Sequence, residues 1–342
     1  MRFLGKSKER EEELTPVKKR GRPALPRGRR KKKEEKKPWG KFERYLILVV
    51  LGSTVALSGF LALSAREWKL PGLPRLNFAN FSLEKTFVFG ETAKPDSFKE
   101  IESAFKEETK GLSGVYGLYV SRLDGSGSYG VYEDDAFEAA SLIKLPVLVA
   151  LYKEAELGNV NLDEKYVLEE SDKVGGAGSL QYKSAGTAYS YRQLAQLMGN
   201  QSDNTAFRIV RNLLGDRKIQ ETANYLGMTK TSLSQNETSP RDVGILLEKL
   251  YGGQILSQES ASEILNFLTN TLYEDHLAAG IPSEIRVAHK YGREVHVVND
   301  AGVVFSDKPF ILVILSKGVV EPEADEVFPN LAKLIFEFET RE

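Results

Sequence analysis

The sequence predicts an α/β fold of the α+β type: one sheet beside a helical lobe, with a cleft between them in which a site would form. Two observations lead to this prediction. Apolar and polar residues alternate over 113–135, which is the period of β-strands, and three further strand-like runs lie within 285–318. From 161 to about 272 the apolar spacing is helical instead. Strands on both sides of a helical insert predict one sheet, one helical lobe and a cleft.

The first 44 residues form a basic segment of low complexity. They hold 18 Lys/Arg against 7 Glu, whereas the other 298 residues carry 29 Lys/Arg against 41 Asp/Glu. Such a composition cannot bury a core, so we expect residues 1–44 to be a disordered cytoplasmic tail. Its "RGRP" (Arg20 to Pro23) is similar to a motif that reads the minor groove of DNA. A four-residue match in a Lys/Arg-rich tract is expected by chance, so we favour anionic lipid over nucleic acid as the partner of this tail.

A span of nineteen uncharged residues follows, from Tyr45 to Leu63. In helical form it would be ~28 Å long, close to the hydrocarbon thickness of a bilayer. Lys41 and Arg44 precede it, and positive charge favours the cytoplasmic side. We therefore predict a single-pass protein of the cell membrane, with residues 45–63 as the transmembrane helix, residues 64–95 as an extracytoplasmic linker and residues 96–342 as an extracytoplasmic domain.

Within the domain the elements follow in a clear order. A helical pattern ends near Gly111, and a β-hairpin is predicted around Asp124-Gly125. The run 138–157 predicts a helix, the helical lobe follows, and three strand-like runs come after it. The chain closes with a helix whose apolar stripe should face the core; the stripe contains Phe328, Leu331, Leu334, Ile335 and Phe338.

The chain lacks the residues of several common sites. It has no cysteine, which excludes disulfides and thiol chemistry. Neither His276 nor His296 has neighbours at metal-ligand spacing, so we predict no metal site and no cofactor. We interpret His289 as a partly exposed strand histidine and Asp300 as a structural carboxylate.

A serine and a lysine near the start of the apolar run 138–157 are candidates for chemistry. Ser141 and Lys144 are three residues apart, so both side chains can lie on one helix face. Serine becomes a nucleophile when a base takes its proton, and a lysine of lowered pKa can be that base. Taken alone, Ser-x-x-Lys is weak evidence because the pattern is frequent.

Two further motifs make the pattern specific. Ser202-Asp203-Asn204 follows Ser141 by about sixty residues, and Lys290-Tyr291-Gly292 comes about ninety residues later on a predicted strand. Ser-x-x-Lys, Ser-Asp-Asn and Lys-x-Gly in this order are the motifs of the penicillin-recognising serine enzymes. Over most of residues 96–340 the chain resembles the class A β-lactamases of that family. The resemblance implies an antiparallel sheet flanked by helices plus an all-helical lobe, with the active-site cleft between them.

The resemblance implies a role for each motif residue. Ser141 would be the nucleophile, Lys144 its base, and Ser202 the carrier of the proton to the leaving nitrogen. Asn204 would bind the substrate's side-chain amide, and Lys290 would attract the substrate's carboxylate and tune Ser202. The oxyanion hole would use the N–H of Ser141 and a second N–H beyond Gly292, for which we name Glu294. The loop Gly175–Gln181 would border the cleft.

The sequence departs from the class A pattern at two places. Tyr291 stands where a small hydroxyl residue usually helps to bind the substrate carboxylate, so its bulk could narrow or reshape that pocket. The omega loop that normally carries the glutamate for deacylation is much shorter in this chain. Glu237 keeps the expected interval from Ser202 and could be that catalytic glutamate, or it could simply precede the helix that opens at Thr238-Ser239-Pro240.

The resemblance thus predicts a membrane-anchored serine hydrolase that is acylated at Ser141 by β-lactams or D-Ala-D-Ala-like cell-wall peptides. Hydrolysis of β-lactams is the activity that the flanking sequence favours. If Glu237 is only structural, a penicillin-binding D,D-peptidase with slow deacylation is the alternative. A degenerate envelope scaffold is a second alternative, although such a protein would not need its motif residues intact.

Overall fold

The computed structural model describes residues 96–341, together with Tyr45, Leu51, Ser53 and Thr54. The chain divides into Met1–Phe87 and Val88–Glu342, and the helices and strands described below belong to the second of these units. The predicted tail, the linker and most of the predicted span 45–63 lie outside the described residues. Among the residues that are described, no helix has both the length and the apolar character needed to cross a bilayer.

Eight α-helices are described. They are α1 (Asp96–Glu108), α2 (Lys144–Glu156), α3 (Tyr191–Asn200), α4 (Asn204–Leu214), α5 (Asp216–Leu226), α6 (Pro240–Tyr251), α7 (Gln258–Phe267) and α8 (Glu321–Glu339). Short 3₁₀ turns occur at Ala140–Ile143, Glu170–Asp172, Leu180–Tyr182 and Ala278–Gly280.

The described strands form one large sheet and two small ones. The large sheet has the order β2-β1-β9-β8-β7 and is antiparallel throughout. Its strands are β1 (Val115–Arg122), β2 (Gly127–Val131), β7 (Val287–Glu294), β8 (Val297–Val304) and β9 (Phe310–Lys317). The small sheets pair β3 (Phe137–Glu138) with β6 (Glu237–Thr238) and β4 (Lys165–Val167) with β5 (Ala188–Ser190).

Both faces of the large sheet are covered. On β9, Val313 packs with the core of the helical lobe, whereas its neighbours Leu312 and Ile314 pack with α1 and α8. Alternate residues of a strand face opposite sides, so the two cores share one sheet. The predicted fold class, hairpin, carboxyl-terminal strands and final helix are confirmed. In the predicted stripe of α8, Phe328, Leu331 and Ile335 are buried, and Leu334 and Phe338 are partly buried.

The segment that carries Ser141 differs from the single helix predicted for 138–157. Residues 137–138 form β3, the chain turns at Ala140 with φ 48°, and a 3₁₀ turn covers Ala140–Ile143 before α2 begins. With about three residues per 3₁₀ turn, positions i and i+3 superpose along the axis. The turn therefore places the side chains of Ser141 and Lys144 directly over one another.

Candidate active site

Ser141 and Lys144 are in hydrogen-bond contact. The Oγ of Ser141 lies 3.0 Å from the Nζ of Lys144. Lys144 begins α2, and the first turn of a helix is the end where its dipole disfavours positive charge. Nearly all of this lysine is buried, since only 2% of it is exposed. Its ammonium group therefore does not reach solvent, whereas that of a lysine on a surface helix would.

Four oxygen atoms surround the Nζ of Lys144. Besides Ser141 Oγ, they are the carbonyl of Ser202 at 2.5 Å, the Oγ of Ser202 at 3.0 Å and the Oδ1 of Asn204 at 2.8 Å. The Ser202 carbonyl and the Asn204 Oδ1 can only accept, so each takes one N–H of the lysine. The side of Nζ that these two N–H groups leave free faces the hydroxyl groups of Ser141 and Ser202. When the amine is neutral, its lone pair lies on this side, and Ser141 can donate its O–H to it.

Burial lowers the pKa of Lys144 to about 8, against the opposing charges of Asp203 and Glu294. An ammonium group loses its hydration when it is buried, which favours the neutral form. A minor fraction of Lys144 at neutral pH, and about half of it near pH 8, is therefore an amine that can take a proton. This is the condition that a general base next to Ser141 must meet.

The Ser-Asp-Asn segment is held in an unusual backbone conformation. Ser202 has φ 55°, a left-handed conformation that serine rarely adopts, and its carbonyl and hydroxyl both contact Lys144. Asp203 then caps α4 by accepting from Ala206 N at 2.9 Å, and it also accepts from Leu180 N at 2.8 Å. The segment is thus fixed from both sides.

The predicted loop Gly175–Gln181 does contact this segment. Asn204 donates through Nδ2 to the carbonyl of Gly175 at 2.9 Å, and its backbone N donates to the carbonyl of Ala177. A Cβ at Gly178 would lie 2.2 Å from the Asp203 carboxylate, so a glycine is required there. Because the Asn204 amide has two N–H groups, one remains for a ligand.

Lys290 is the second buried lysine of the cluster. It is 1% exposed, and its Nζ donates to the carbonyl of Tyr291 at 2.9 Å. Burial and the nearby charge of Lys144 lower the pKa of Lys290 well below its usual value, while Asp300 opposes this shift. Within the described chain, no hydrogen bond joins Lys290 to Ser202. The predicted influence of Lys290 on Ser202 is therefore electrostatic at most.

Gly292 brings strand β7 against the backbone of Ser141. A Cβ at Gly292 would lie 3.0 Å from Ser141 N, 2.8 Å from Leu142 Cδ1 and 3.3 Å from Ala139 O. Any larger side chain would have to displace the segment that carries the nucleophile. The close approach of β7 to the Ser141 backbone is therefore a reason for a glycine at this position.

The alternation of N–H directions along β7 argues against Glu294 as the second oxyanion donor. The N–H of His289 points away from β8 and bonds the carbonyl of Leu268. N–H groups alternate along a strand, so that of Arg293 also faces the open edge, whereas that of Glu294 faces β8 and its partner Val297. Arg293 therefore replaces Glu294 as the predicted donor beside Ser141 N.

Tyr291 points to the other face of the sheet. The residue is 8% exposed and packs in the core shared with α8. Its ring is stacked on Tyr273, with centroids 5.3 Å apart, and lies tilted against His276, with centroids 4.4 Å apart. Its hydroxyl accepts from Arg293. The phenol thus does not lie on the face of Lys290 and Gly292, and its predicted contact with a substrate carboxylate would have to be indirect.

His289 is fully buried. The prediction that this histidine is partly exposed is therefore wrong. Its Nδ1 lies 2.8 Å from Asp300 Oδ1 and its Nε2 3.2 Å from Glu274 Oε1. Although burial would lower the pKa of His289, the two carboxylates raise it to about 9. Asp300 also accepts from Leu277 N, as a structural carboxylate would. In the described part of the chain no group of three His, Asp or Glu side chains could hold a metal ion.

Glu237 lies in β6, directly opposite Glu138 of β3. It is half-buried, and its side chain has no hydrogen bond or ion pair with any residue that the structure describes. The carboxylates that act on the charge of Lys144 are those of Asp203 and Glu294. The structure therefore does not bring Glu237 to Lys144, and its catalytic role stays an open prediction.

Two residues of the site were not found from the sequence. Tyr273 stacks on Tyr291, and the centroid of its ring lies 5.9 Å from the Nζ of Lys290. It sits in an irregular segment with no motif, so no sequence signal pointed to it. Arg293 follows Lys-Tyr-Gly directly, and the direction of its N–H depends on a strand register that only the structure provides.

Comparison with known proteins gives a consistent result for the domain. The model of a family described as "Beta-lactamase enzyme family" matches residues 98–338. A β-lactamase of Proteus vulgaris is 25% identical over 63% of this chain and 86% of its own length. The β-lactamase VEB-1 of Pseudomonas aeruginosa is 22% identical over 77% of this chain and 97% of its own length.

Solved structures show the same fold. The structure of PBP-A has a TM-score of 0.66 at 28% identity and covers 71% of this chain and 96% of its own. A variant of PBP-A is known as an acyl-enzyme complex with penicillin G. A β-lactamase from Sphaerobacter thermophilus DSM 20745 has a TM-score of 0.67 at 22% identity, covering 71% of this chain and 97% of its own. The chain belongs to the beta-lactamase enzyme family, and its domain has the fold of the class A β-lactamases and penicillin-binding proteins.

Proposed function

We propose that this protein is a serine hydrolase that is acylated by β-lactams at Ser141 and hydrolyses them. The observation that carries the proposal is the 3.0 Å contact between Ser141 Oγ and the buried Nζ of Lys144. A serine hydroxyl paired with an amine whose pKa is about 8 is an activated nucleophile. The family membership and the acyl-enzyme of the PBP-A variant with penicillin G support the same chemistry.

The acylation step follows from the contacts of Lys144. The neutral amine takes the proton of Ser141, and Oγ attacks the carbonyl carbon of the lactam. The backbone N–H groups of Ser141 and Arg293 stabilise the developing oxyanion. As the carbon–nitrogen bond breaks, the proton passes from Lys144 through the hydroxyl of Ser202, 3.0 Å away, to the leaving nitrogen. The product is an ester at Ser141 and a secondary amine.

Lys290 would bind the carboxylate of the substrate. An unpaired buried ammonium is costly, so a carboxylate next to its Nζ would favour the charged form of this lysine. A charged Lys290 in turn keeps the pKa of Lys144 low, because two positive charges repel each other at short range. Substrate binding thus favours the neutral form of the base.

A D,D-peptidase with slow deacylation is a second candidate function. It is favoured by the position of Glu237, whose side chain has no hydrogen bond or ion pair with the described residues and which pairs with Glu138 across the small sheet. Without a carboxylate placed to activate a water molecule at the ester, hydrolysis of the acyl-enzyme lacks its base. The natural substrate would then be a cell-wall peptide that ends in D-Ala-D-Ala, and β-lactams would act as slowly released inhibitors.

The mass of the intact protein, followed over time after addition of benzylpenicillin, tests these functions. We expect an adduct of one penicillin that is absent in Ser141→Ala. If the adduct disappears within minutes and Glu237→Gln makes it persist, the protein is a β-lactamase that uses Glu237. A persistent adduct in the wild type indicates the peptidase. Rapid deacylation would also leave no adduct, so the hydrolysis of benzylpenicillin is followed in the same samples. The absence of both an adduct and hydrolysis would contradict both functions and favour the scaffold.

We also propose that residues 45–63 anchor the protein in the cell membrane, with the basic tail in the cytoplasm and the hydrolase domain outside it. The support is the uncharged nineteen-residue run and the basic residues before it. β-Lactams and cell-wall peptides are met outside the cytoplasm, which agrees with this orientation.

A further inference from the structure

One carboxylate on the active-site face of β7 has no partner among the residues that the structure describes. Glu294 is the last residue of β7 and is exposed, and none of the described residues forms a hydrogen bond or ion pair with its side chain. Alternate residues of a strand share a face, so Glu294 lies on the same face as Lys290 and Gly292. Arg293 does not neutralise it, because that guanidinium is paired with Asp325 at 2.8 Å.

Glu294 is also close to the nucleophile. Gly292, two residues earlier and thus ~7 Å away along the strand, is the position whose Cβ would lie 3.0 Å from Ser141 N. The negative charge of Glu294 acts on the buried Lys144 as well, where it opposes the effect of burial. Its carboxylate is therefore at the rim of the cleft and not on a remote surface.

Strand β7 carries a basic residue on one side of the reaction centre and an acidic residue on the other. Lys290 lies on one side of Gly292 and Glu294 on the other, ~13 Å apart along β7, and Ser141 faces the point between them. A substrate whose reacting carbonyl is at Ser141 and whose carboxylate is directed to Lys290 must extend its acyl part in the opposite direction. That direction leads to Glu294.

We propose that Glu294 selects acyl donors that carry an ammonium group on the acyl side of the reacting carbonyl. This inference rests on the proposed acylation of Ser141. The substrates that fit are β-lactams with an amino group on the acyl side chain and peptides with a free amine several bonds before the cleaved residue. An acyl part with a carboxylate at the same place would be repelled.

Two penicillins that differ by one amine provide the test. The second-order rate constants of acylation are compared for aminobenzylpenicillin and benzylpenicillin. At about pH 7 an α-amine is mostly protonated, and low salt keeps its attraction to a carboxylate from being screened. For the wild type we expect a preference for the amine of about three-fold, which is the range of an exposed ion pair. The preference should vanish in Glu294→Gln and reverse in Glu294→Lys.

Glu100→Gln is the matched control, since Glu100 is exposed on α1 and loses the same charge. It should keep the wild-type preference, and added salt should weaken that preference in the wild type. A ratio of rate constants that is equal in the wild type and both Glu294 variants would overturn this inference alone. Absence of acylation by either penicillin would instead contradict the proposed function.

Discussion

At the scale of single residues, the neutral form of Lys144 limits acylation. Its pKa of about 8 means that the amine is mostly protonated at pH 6 and mostly neutral at pH 9. We therefore expect the rate of acylation by a fluorescent penicillin to rise with pH through about 8 and then to level off. Stopped-flow measurement between pH 6 and 9 checks this profile.

Lys144→Arg is the variant that tests this pH dependence, because a guanidinium stays protonated throughout the range. It should lower the rate at pH 9 by at least about 100-fold, which is typical for loss of a general base, and it should remove the rise with pH. A wild-type profile that is flat from pH 6 to 9 would show that Lys144 is not the base.

The sequence predicted which residues the structure brings together better than it predicted their surroundings. Ser141 and Lys144 could be paired because they are three residues apart, and the motif order pointed to Ser202 and Lys290. The burial of His289 could not be predicted, because both faces of the sheet are covered and alternation then carries no information on exposure. Glu294 was named in place of Arg293 because N–H directions depend on register.

At the scale of elements, one residue at the start of α4 contributes both to the stability of the fold and to the position of the active-site residues. Asp203 caps this helix and also holds Leu180 N of the neighbouring turn. Asp203→Ala would leave two buried N–H groups without a partner, so we expect a loss of about 2–4 kcal/mol in the free energy of unfolding. Acylation should also slow, because Asn204 and Ser202 depend on the same turn.

Ser190→Ala is the matched control for Asp203→Ala. Ser190 caps α3 through a similar bond to Gln193 N, but this capping box is exposed. It should cost only about 1 kcal/mol and leave acylation unchanged. Urea unfolding and acylation rates of both variants separate the two effects. Equal acylation rates in Asp203→Ala and the wild type would contradict the expected connection.

The elements themselves were predicted well where periodicity was long. The strands β7 to β9 and the helix α8 have eight to nineteen residues, and each was expected from its pattern. The segment 137–143 was not, because a two-residue strand and a 3₁₀ turn are too short to establish a period. The turn at Ala140 is set by the packing of β7 and β8 against it, which involves residues far away in sequence.

At the scale of the whole molecule, the buried His289 should make stability depend on pH. Its pKa of about 9 in the folded protein is above the value of about 6.5 in the unfolded chain, so the folded state binds more protons between these values. The stabilisation is complete below pH 6.5 and is lost as pH rises through about 9. We expect the contribution of His289 to the free energy of unfolding to fall by about 1–2 kcal/mol from pH 6.5 to 8.

The difference between the wild type and His289→Gln isolates this contribution. Lys144 and Lys290 act in the opposite direction, because their pKa values are lowered and the folded state then binds fewer protons than the unfolded chain. Both lysines are present in the two proteins, so their effect largely cancels in the difference. Urea titrations at several pH values provide the measurement.

His296→Gln is the control, because the side chain of His296 is mostly exposed and its loss should leave the wild-type slope unchanged. A slope of the same size in the wild type and His289→Gln would show that another group is responsible.

Attachment of the whole chain to the membrane is expected from the sequence of residues 45–63. A full-length protein with this span should sediment with membranes and resist extraction by alkaline carbonate. Val55→Asp with Leu57→Asp would place two charges in the apolar run, at a cost of about 2.5–3.5 kcal/mol each at the helix centre. This double variant should move to the soluble fraction and still react with penicillin, because the hydrolase domain has its own core. If the unchanged chain were released by carbonate, the tail and span would have to act in another way, and the proposed location outside the cytoplasm would lose its basis.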